Sequence, residues 1–217
     1  MSIVTMILGE SGTGKSASMR NLTPADTLLI QAVPKPLPFR AAGWGPLTKE
    51  TPNGNVFVSD QADRICAILR KTTRSVIVID DFQYVLSNEF MRRVTDKEVG
   101  NAAFAKYNEI ARNAWDILTC AAALPENKRV YLLSHTTTDE FGNTKIKTIG
   151  KLLDEKIVLE GMVSIVLRTK VANGDYMFST KNSGSDTVKA PMQMFENATV
   201  ENDLKAVDAA ICDYYRS

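Results

Sequence analysis

The eight residues Gly9-Glu10-Ser11-Gly12-Thr13-Gly14-Lys15-Ser16 constrain this chain more than any other stretch. They fit the pattern G-x-x-x-x-G-K-[ST]. Glycines let a loop wrap closely enough for backbone N–H groups to point inward at phosphates. A helix starting at the end of the loop adds the positive end of its dipole. The lysine reaches the terminal phosphates, and the hydroxyl after it ligates Mg²⁺. The flanking residues supply the context the pattern needs. Ile3–Leu8 is an apolar run that predicts a strand, and Lys15–Asn21 is predicted to continue as a helix. The expected ligand is ATP with Mg²⁺, held by Gly9, Glu10, Ser11, Gly12, Thr13, Gly14, Lys15, Ser16 and Ala17.

A second motif has the matching chemistry. Val76-Ile77-Val78-Ile79-Asp80-Asp81 is a β-branched run ending in two acids, so Ser75–Ile79 is predicted as a strand buried on both faces. Asp80 is placed to hold Mg²⁺ through water, beside the Ser16 ligand, and Asp81 to orient or deprotonate an attacking water.

Around these motifs short apolar runs alternate with helical patterns. Strands are predicted at Thr27–Val33, Asn55–Val58 and Val130–Ser134, with an irregular Pro- and Gly-rich excursion over Pro34–Pro52. Ser59 or Asp60 is expected to cap a helix carrying Ile65, Ile68 and Leu69. Asn101–Ala123 is the clearest helix, with Phe104, Tyr107, Ala111, Ala114, Leu118 and Ala121 at three- and four-residue spacing. Val163–Thr169 and Tyr176–Thr180 flank Ala172-Asn173-Gly174-Asp175, where Asn-Gly predicts a hairpin turn. Leu204, Val207, Ile211 and Tyr214 mark a terminal amphipathic helix. The pattern predicts one α/β domain over residues 1–217, with a mainly parallel sheet flanked by helices and a late antiparallel hairpin.

Composition narrows the partners. The 217 residues carry 26 Lys and Arg against 25 Asp and Glu. That balance gives no general basic footprint for nucleic acid, so any DNA contact must come from local patches. No apolar run approaches the roughly 18 residues that span a bilayer, and no basic segment precedes Ile3, so neither a membrane span nor a secretory signal is expected. Cys66, Cys120 and Cys212 lack metal-ligand spacing and read as small hydrophobes in a reducing cytosol.

Beyond the glycine-rich motif and Val78-Ile79-Asp80-Asp81-Phe82-Gln83-Tyr84, the segments Leu132-Leu133-Ser134-His135, Thr148-Ile149-Gly150-Lys151-Leu152-Leu153-Asp154 and Ser183-Gly184-Ser185-Asp186-Thr187 follow in order, ahead of the terminal Asp203–Tyr215 helix. With them, the chain resembles the short phage-encoded RecA-core ATPases that act as single-strand annealing proteins or recombinases. Strands between the two motifs, Thr27–Val33 and Asn55–Val58, agree with the ATPase branch that includes RecA-like and AAA+ proteins. By analogy, the resemblance implies a host-cytoplasmic, oligomeric ATPase acting on single-stranded DNA beside a single-strand binding protein.

The resemblance also implies roles for particular residues. Loops after Asp81 and after His135 would line a DNA channel, the first carrying Arg92, Arg93 and Lys97, the second Phe141, Lys145, Lys147 and Lys151. Cations attract phosphate and an aromatic ring stacks on bases. His135 would sense the γ-phosphate. Lys181, or less directly Lys189 or Arg168, would reach a neighbouring subunit's ATP and stabilise charge on it. One departure stands out. RecA-like recombinases carry a glutamate near the end of the second core strand, where this chain has Gln31-Ala32-Val33-Pro34. Either Asp81 substitutes or hydrolysis is slow. A protein-acting ATPase, such as a helicase loader or assembly switch, and a small-molecule phosphotransferase are the competing readings.

Overall fold

The computed structural model describes residues 1–95, 101–149 and 152–216. Its centre is an eight-stranded sheet in the order β10-β9-β8-β1-β5-β4-β2-β3. The strands are β1 (Ile3–Leu8), β2 (Thr27–Gln31), β3 (Val56–Val58), β4 (Val76–Asp80), β5 (Arg129–Ser134), β8 (Ile165–Ala172), β9 (Asp175–Ser179) and β10 (Thr199–Glu201). From β3 to β8 every pairing is parallel; β9 and β10 add on antiparallel. A separate two-stranded ribbon joins β6 (Thr136–Thr138) to β7 (Thr144–Ile146).

Alternate residues of the central strands feed two cores, because successive side chains of a strand point to opposite faces. Met6, Leu8, Ile30, Ile77, Ile79 and Leu132 face helices α1 (Ala62–Lys71), α2 (Gln83–Arg92) and α3 (Asn101–Ala122). Ile7, Leu29, Val78, Tyr131, Leu133 and Leu167 face α4 (Leu204–Arg216) and the turn of Met19 and Leu22. Both faces are therefore covered, which is why Val76–Ile79 reads as an unbroken apolar run. On α3, Ala111, Ala114, Leu118 and Ala121 are buried as the spacing requires, Ile110 and Ile117 join them, and Tyr107 stacks on Phe90. The described part of Phe104 is its backbone.

Several elements differ from expectation. The segment after the glycine-rich loop is a 3-10 helix over Ser16–Asn21, not an α-helix from Lys15. Leu22 and Pro24 leave room for less than two turns, and the short element is tied down by its side chains. Arg20 donates to Glu201 Oε1 at 2.9 Å and to the carbonyl of Asn202, and Asn21 donates to Asp203 at 2.8 Å. Strand β2 stops at Gln31, short of Val33, ahead of the Pro-rich segment. Gln61 occupies the N-cap of α1, with Ser59 Oγ accepting its N–H at 3.2 Å. Asp60 instead accepts from Asn88 and Arg92 of α2 at 2.8 and 2.7 Å.

The strand lying between β1 and β4 in space is β5, although β2 and β3 separate the two motifs in sequence. The late hairpin forms as expected, with Asn173 at φ 54° and Gly174 at φ 87° in its turn. The outermost strand beyond it is β10, which carries no strong sequence signal. Among the described residues no helix is long and apolar enough to cross a membrane.

Candidate functional site

The carboxyl ends of β1, β4 and β5 converge, and in a parallel sheet this edge is where ligands bind. A cleft of about 360 Å³ opens there. The glycine-rich loop forms one wall, through Ser11, Gly12, Gly14, Lys15, Ser16 and Ala17. Asp81 and His135 form the floor, and Lys35, Pro36, Pro38 and Tyr176 close the sides.

The loop is shaped by its glycines at two places. Gly14 takes φ 94°, a conformation open to glycine, and a Cβ there would come within 2.9 Å of the Tyr176 ring. A Cβ on Gly9 would lie 1.7 Å from Thr169 Oγ1. That hydroxyl holds the loop to the sheet: it lies 2.6 Å from Thr13 Oγ1 and donates to the Leu8 carbonyl at 3.3 Å. Gly9, Glu10 and Thr13 thus build the loop without lining the cleft. Glu10 and Thr13 face a second hollow beside Arg168.

Lys15 is folded back over the loop. Its Nζ donates to the Gly9 and Glu10 carbonyls at 2.9 and 2.8 Å. Burial lowers its pKa to about 8, against the attraction of Asp81 and Asp80. Ser16 Oγ lies 2.9 Å from each carboxylate oxygen of Asp80. Burial, reinforced by the neighbouring charge of Asp81, raises the Asp80 pKa to about 6. A hydroxyl and a carboxylate this close suit one small hard cation that takes its other ligands from phosphate and water. The two motifs predicted from sequence therefore meet in space as their chemistry requires.

Asp81 sits just past the strand at φ 59°, an uncommon conformation for a residue with a side chain. Three hydrogen bonds hold it and the residue after it. Its own N–H donates to Asp80 Oδ1 at 3.1 Å, its carbonyl accepts from Tyr84 at 2.9 Å, and Phe82 N–H donates to Leu133 O at 2.9 Å. This turn aims the carboxylate into the cleft, where it meets His135 Nε2 at 3.9 Å and an ion pair from Lys35. Burial and the charge of Lys15 lower the His135 pKa, against the pull of Asp81.

Sequence reasoning passed over Lys35 and Gln83. Lys35 lies in the Pro34–Pro38 segment, which returns over Asp81 because Gln31 Nε2 donates to the Lys35 carbonyl at 3.0 Å. A lysine between two prolines, just after the second strand, was the available signal. Gln83 is buried at the start of α2, and its Oε1 accepts from Ser134 Oγ and the His135 N–H at 3.3 and 3.2 Å. Its place two residues past the acidic pair, in the Val78–Tyr84 motif, was the available signal.

The remaining expected positions divide. The segment after Asp81 is helix α2 rather than a loop, because Val85 and Leu86 are buried in the core on the α3 side. Arg92 pairs with Asp60, and Arg93 pairs with Glu109 at 2.5 Å and Glu89 at 3.5 Å. The segment after His135 is the β6–β7 ribbon, turned by Asp139, whose Oδ1 accepts from Phe141 and Asn143 N–H groups at 3.0 and 2.8 Å. Phe141 stands at its tip, 81% exposed. Lys145 lies on β7, and Lys147 N–H donates to the His135 carbonyl at 2.8 Å. Lys97 and Lys151 lie outside the described residues. Lys181 is exposed, donates to the Glu196 carbonyl at 2.8 Å, and does not line the cleft. Sequence comparison finds no family model that matches the chain and no curated protein similar to it.

Proposed function

We propose that this protein is a RecA-like P-loop ATPase that binds Mg·ATP in the cleft and single-stranded DNA on the β6–β7 ribbon, promoting annealing or pairing of complementary strands. The observation that carries the nucleotide reading is the contact of Ser16 Oγ with both oxygens of Asp80. Two motifs 64 residues apart in sequence supply the two protein ligands that a phosphate-bound Mg²⁺ needs. The β8-β1-β5-β4-β2 strand order, with β5 between the loop strand and the acidic strand, supports the RecA-like branch.

Coupling to DNA rests on how the ribbon is rooted. His135 touches the cleft through its side chain and anchors Lys147 through its carbonyl. Contacts to a γ-phosphate would thus bias a ribbon bearing an exposed aromatic ring and two lysines. Either Asp81 orients the attacking water in place of the absent glutamate, or turnover is slow. Homo-oligomers and a single-strand binding protein complete the working assembly. A protein-acting ATPase is the second reading, favoured by one observation: Arg92 and Arg93 are engaged in ion pairs.

The test is ATP hydrolysis with and without single-stranded DNA, with Lys15→Ala as the blank. Turnover that rises with DNA and vanishes in the variant supports the recombination reading. Turnover indifferent to DNA keeps the nucleotide site and transfers the weight to a protein partner.

A further inference from the structure

Among the cations that line the cleft, Lys35 has no place in the motif chemistry. Its position is nonetheless tightly specified. Gln31, the residue it is tethered to, stands opposite Asp80 in the β2–β4 register. The tether and the flanking Pro34 and Pro36 restrict the backbone, since each proline fixes its own φ and limits the residue before it. The side chain crosses the cleft to pair with Asp81 Oδ2, remaining 40% exposed while Asp81 is almost fully covered. Lys15, Lys35, Asp80 and Asp81 therefore form a compact group of two cations and two carboxylates.

We propose that Lys35 is a γ-phosphate sensor acting within its own chain: it releases Asp81 and bonds the terminal phosphate when ATP, but not ADP, occupies the cleft. This rests on the reading of the cleft as a Mg·ATP site. The loop holds the inner phosphates and Lys15 reaches the β- and γ-phosphates, so the third phosphate enters the space between Lys15, Asp81 and His135. There it adds negative charge beside a carboxylate, an arrangement that is unfavourable unless a cation bridges the two. Lys35 is the flexible, partly exposed ammonium already at that point. A lysine suits the exchange, because its ammonium is a rotatable point charge on a long stem, without the planar fork that would fix a guanidinium to Asp81. ADP leaves the Lys35–Asp81 pair intact. The Pro34–Pro38 wall thus has two discrete arrangements, with and without the third phosphate.

The experiment measures binding of ADP and of a non-hydrolysable ATP analogue, both with Mg²⁺, to wild type, Lys35→Met, Asp81→Asn and the double variant. Lys35→Met should weaken the ATP analogue by roughly ten- to a hundredfold, as expected for one charge-assisted hydrogen bond, and leave ADP within about twofold. Asp81→Asn should tighten the ATP analogue, and by a larger factor when Lys35 is already Met, since the carboxylate then faces the third phosphate with no cation between them. Lys35→Arg should fold normally and recover only part of the discrimination. Equal loss of both nucleotides in Lys35→Met, or no loss of either, overturns the inference while leaving the nucleotide site standing. If wild type binds neither nucleotide, the Mg·ATP reading falls and this inference with it.

Discussion

Ser16 Oγ hydrogen-bonds both oxygens of Asp80 at 2.9 Å, with the carboxylate almost fully buried at the end of β4. The Asp81 N–H adds a second donor to Oδ1 at 3.1 Å, and an ionised carboxylate has lone pairs left for more. Burial raises the Asp80 pKa to about 6 from the usual 3.8. Between those values the folded chain holds a proton that the unfolded chain has released. Stability therefore falls as pH rises through about 4 to 6, and the deficit persists above that window. In chelator-treated, metal-free buffer, Asp80→Asn should be more stable than wild type at pH 8 by about 1–2 kcal/mol. The gap should close near pH 4, and Mg²⁺ should no longer strengthen nucleotide binding. Urea denaturation at the two pH values checks the sign; a variant less stable than wild type at pH 8 would contradict it.

Gly9 is packed against Thr169 with no room for a methyl group. Gly9→Ala should displace the Thr13–Thr169 hydroxyl contact and cost about 1–3 kcal/mol, as overpacking does. Gly12, around which a Cβ would meet nothing within 4 Å but which takes φ 77°, should tolerate alanine better in folding than Gly9. Thermal melts of the two variants compare crowding with backbone strain directly.

Asp208 on α4 accepts from Arg129 Nε and Nη2 at 2.6 and 3.0 Å and from the fully buried Tyr131 hydroxyl at 2.6 Å. Asp208→Asn leaves a largely covered guanidinium without its counter-charge. The expected loss is about 3 kcal/mol, a fall in Tm of roughly 6–12 °C for a chain of this size. Nucleotide affinity should be retained, because the group lies away from the cleft.

Phe141 is the test of the ribbon. Its removal takes nothing from the core, so Phe141→Ala should melt with wild type. Base stacking on an aromatic ring is worth about 1–3 kcal/mol, so single-stranded DNA should bind roughly 5- to 150-fold more weakly. Fluorescence anisotropy of a labelled oligonucleotide measures this. Unchanged DNA binding would move the recombination reading behind the protein-acting one.

How much of this site was legible beforehand depends on the distance over which each part is specified. The glycine-rich loop, the β4 run, the Asn-Gly turn and the α3 stripe are written in contiguous residues, because local backbone sterics and side-chain periodicity decide them. Helix α2 is different. It reads as a loop until Val85 and Leu86 find the α3 side of the core. The ribbon carried a usable cue in Asp139 and Asn143, whose side chains organise a turn.

The sequence by itself therefore determined that a glycine-rich loop follows the first strand, that an acid-tipped strand accompanies it, and that the sheet is mainly parallel. Only the tertiary structure decided which strand separates β1 from β4, that Lys181 lies away from the cleft, that Lys35 lines it, and that Gln83 holds the His135 backbone. The reason is physical. Spacing along a chain encodes hydrogen bonds and torsions over a few residues. The meeting of Ser16 with Asp80, or of Lys35 with Asp81, is set by how separate strands register in the sheet and by where the backbone turns after leaving it.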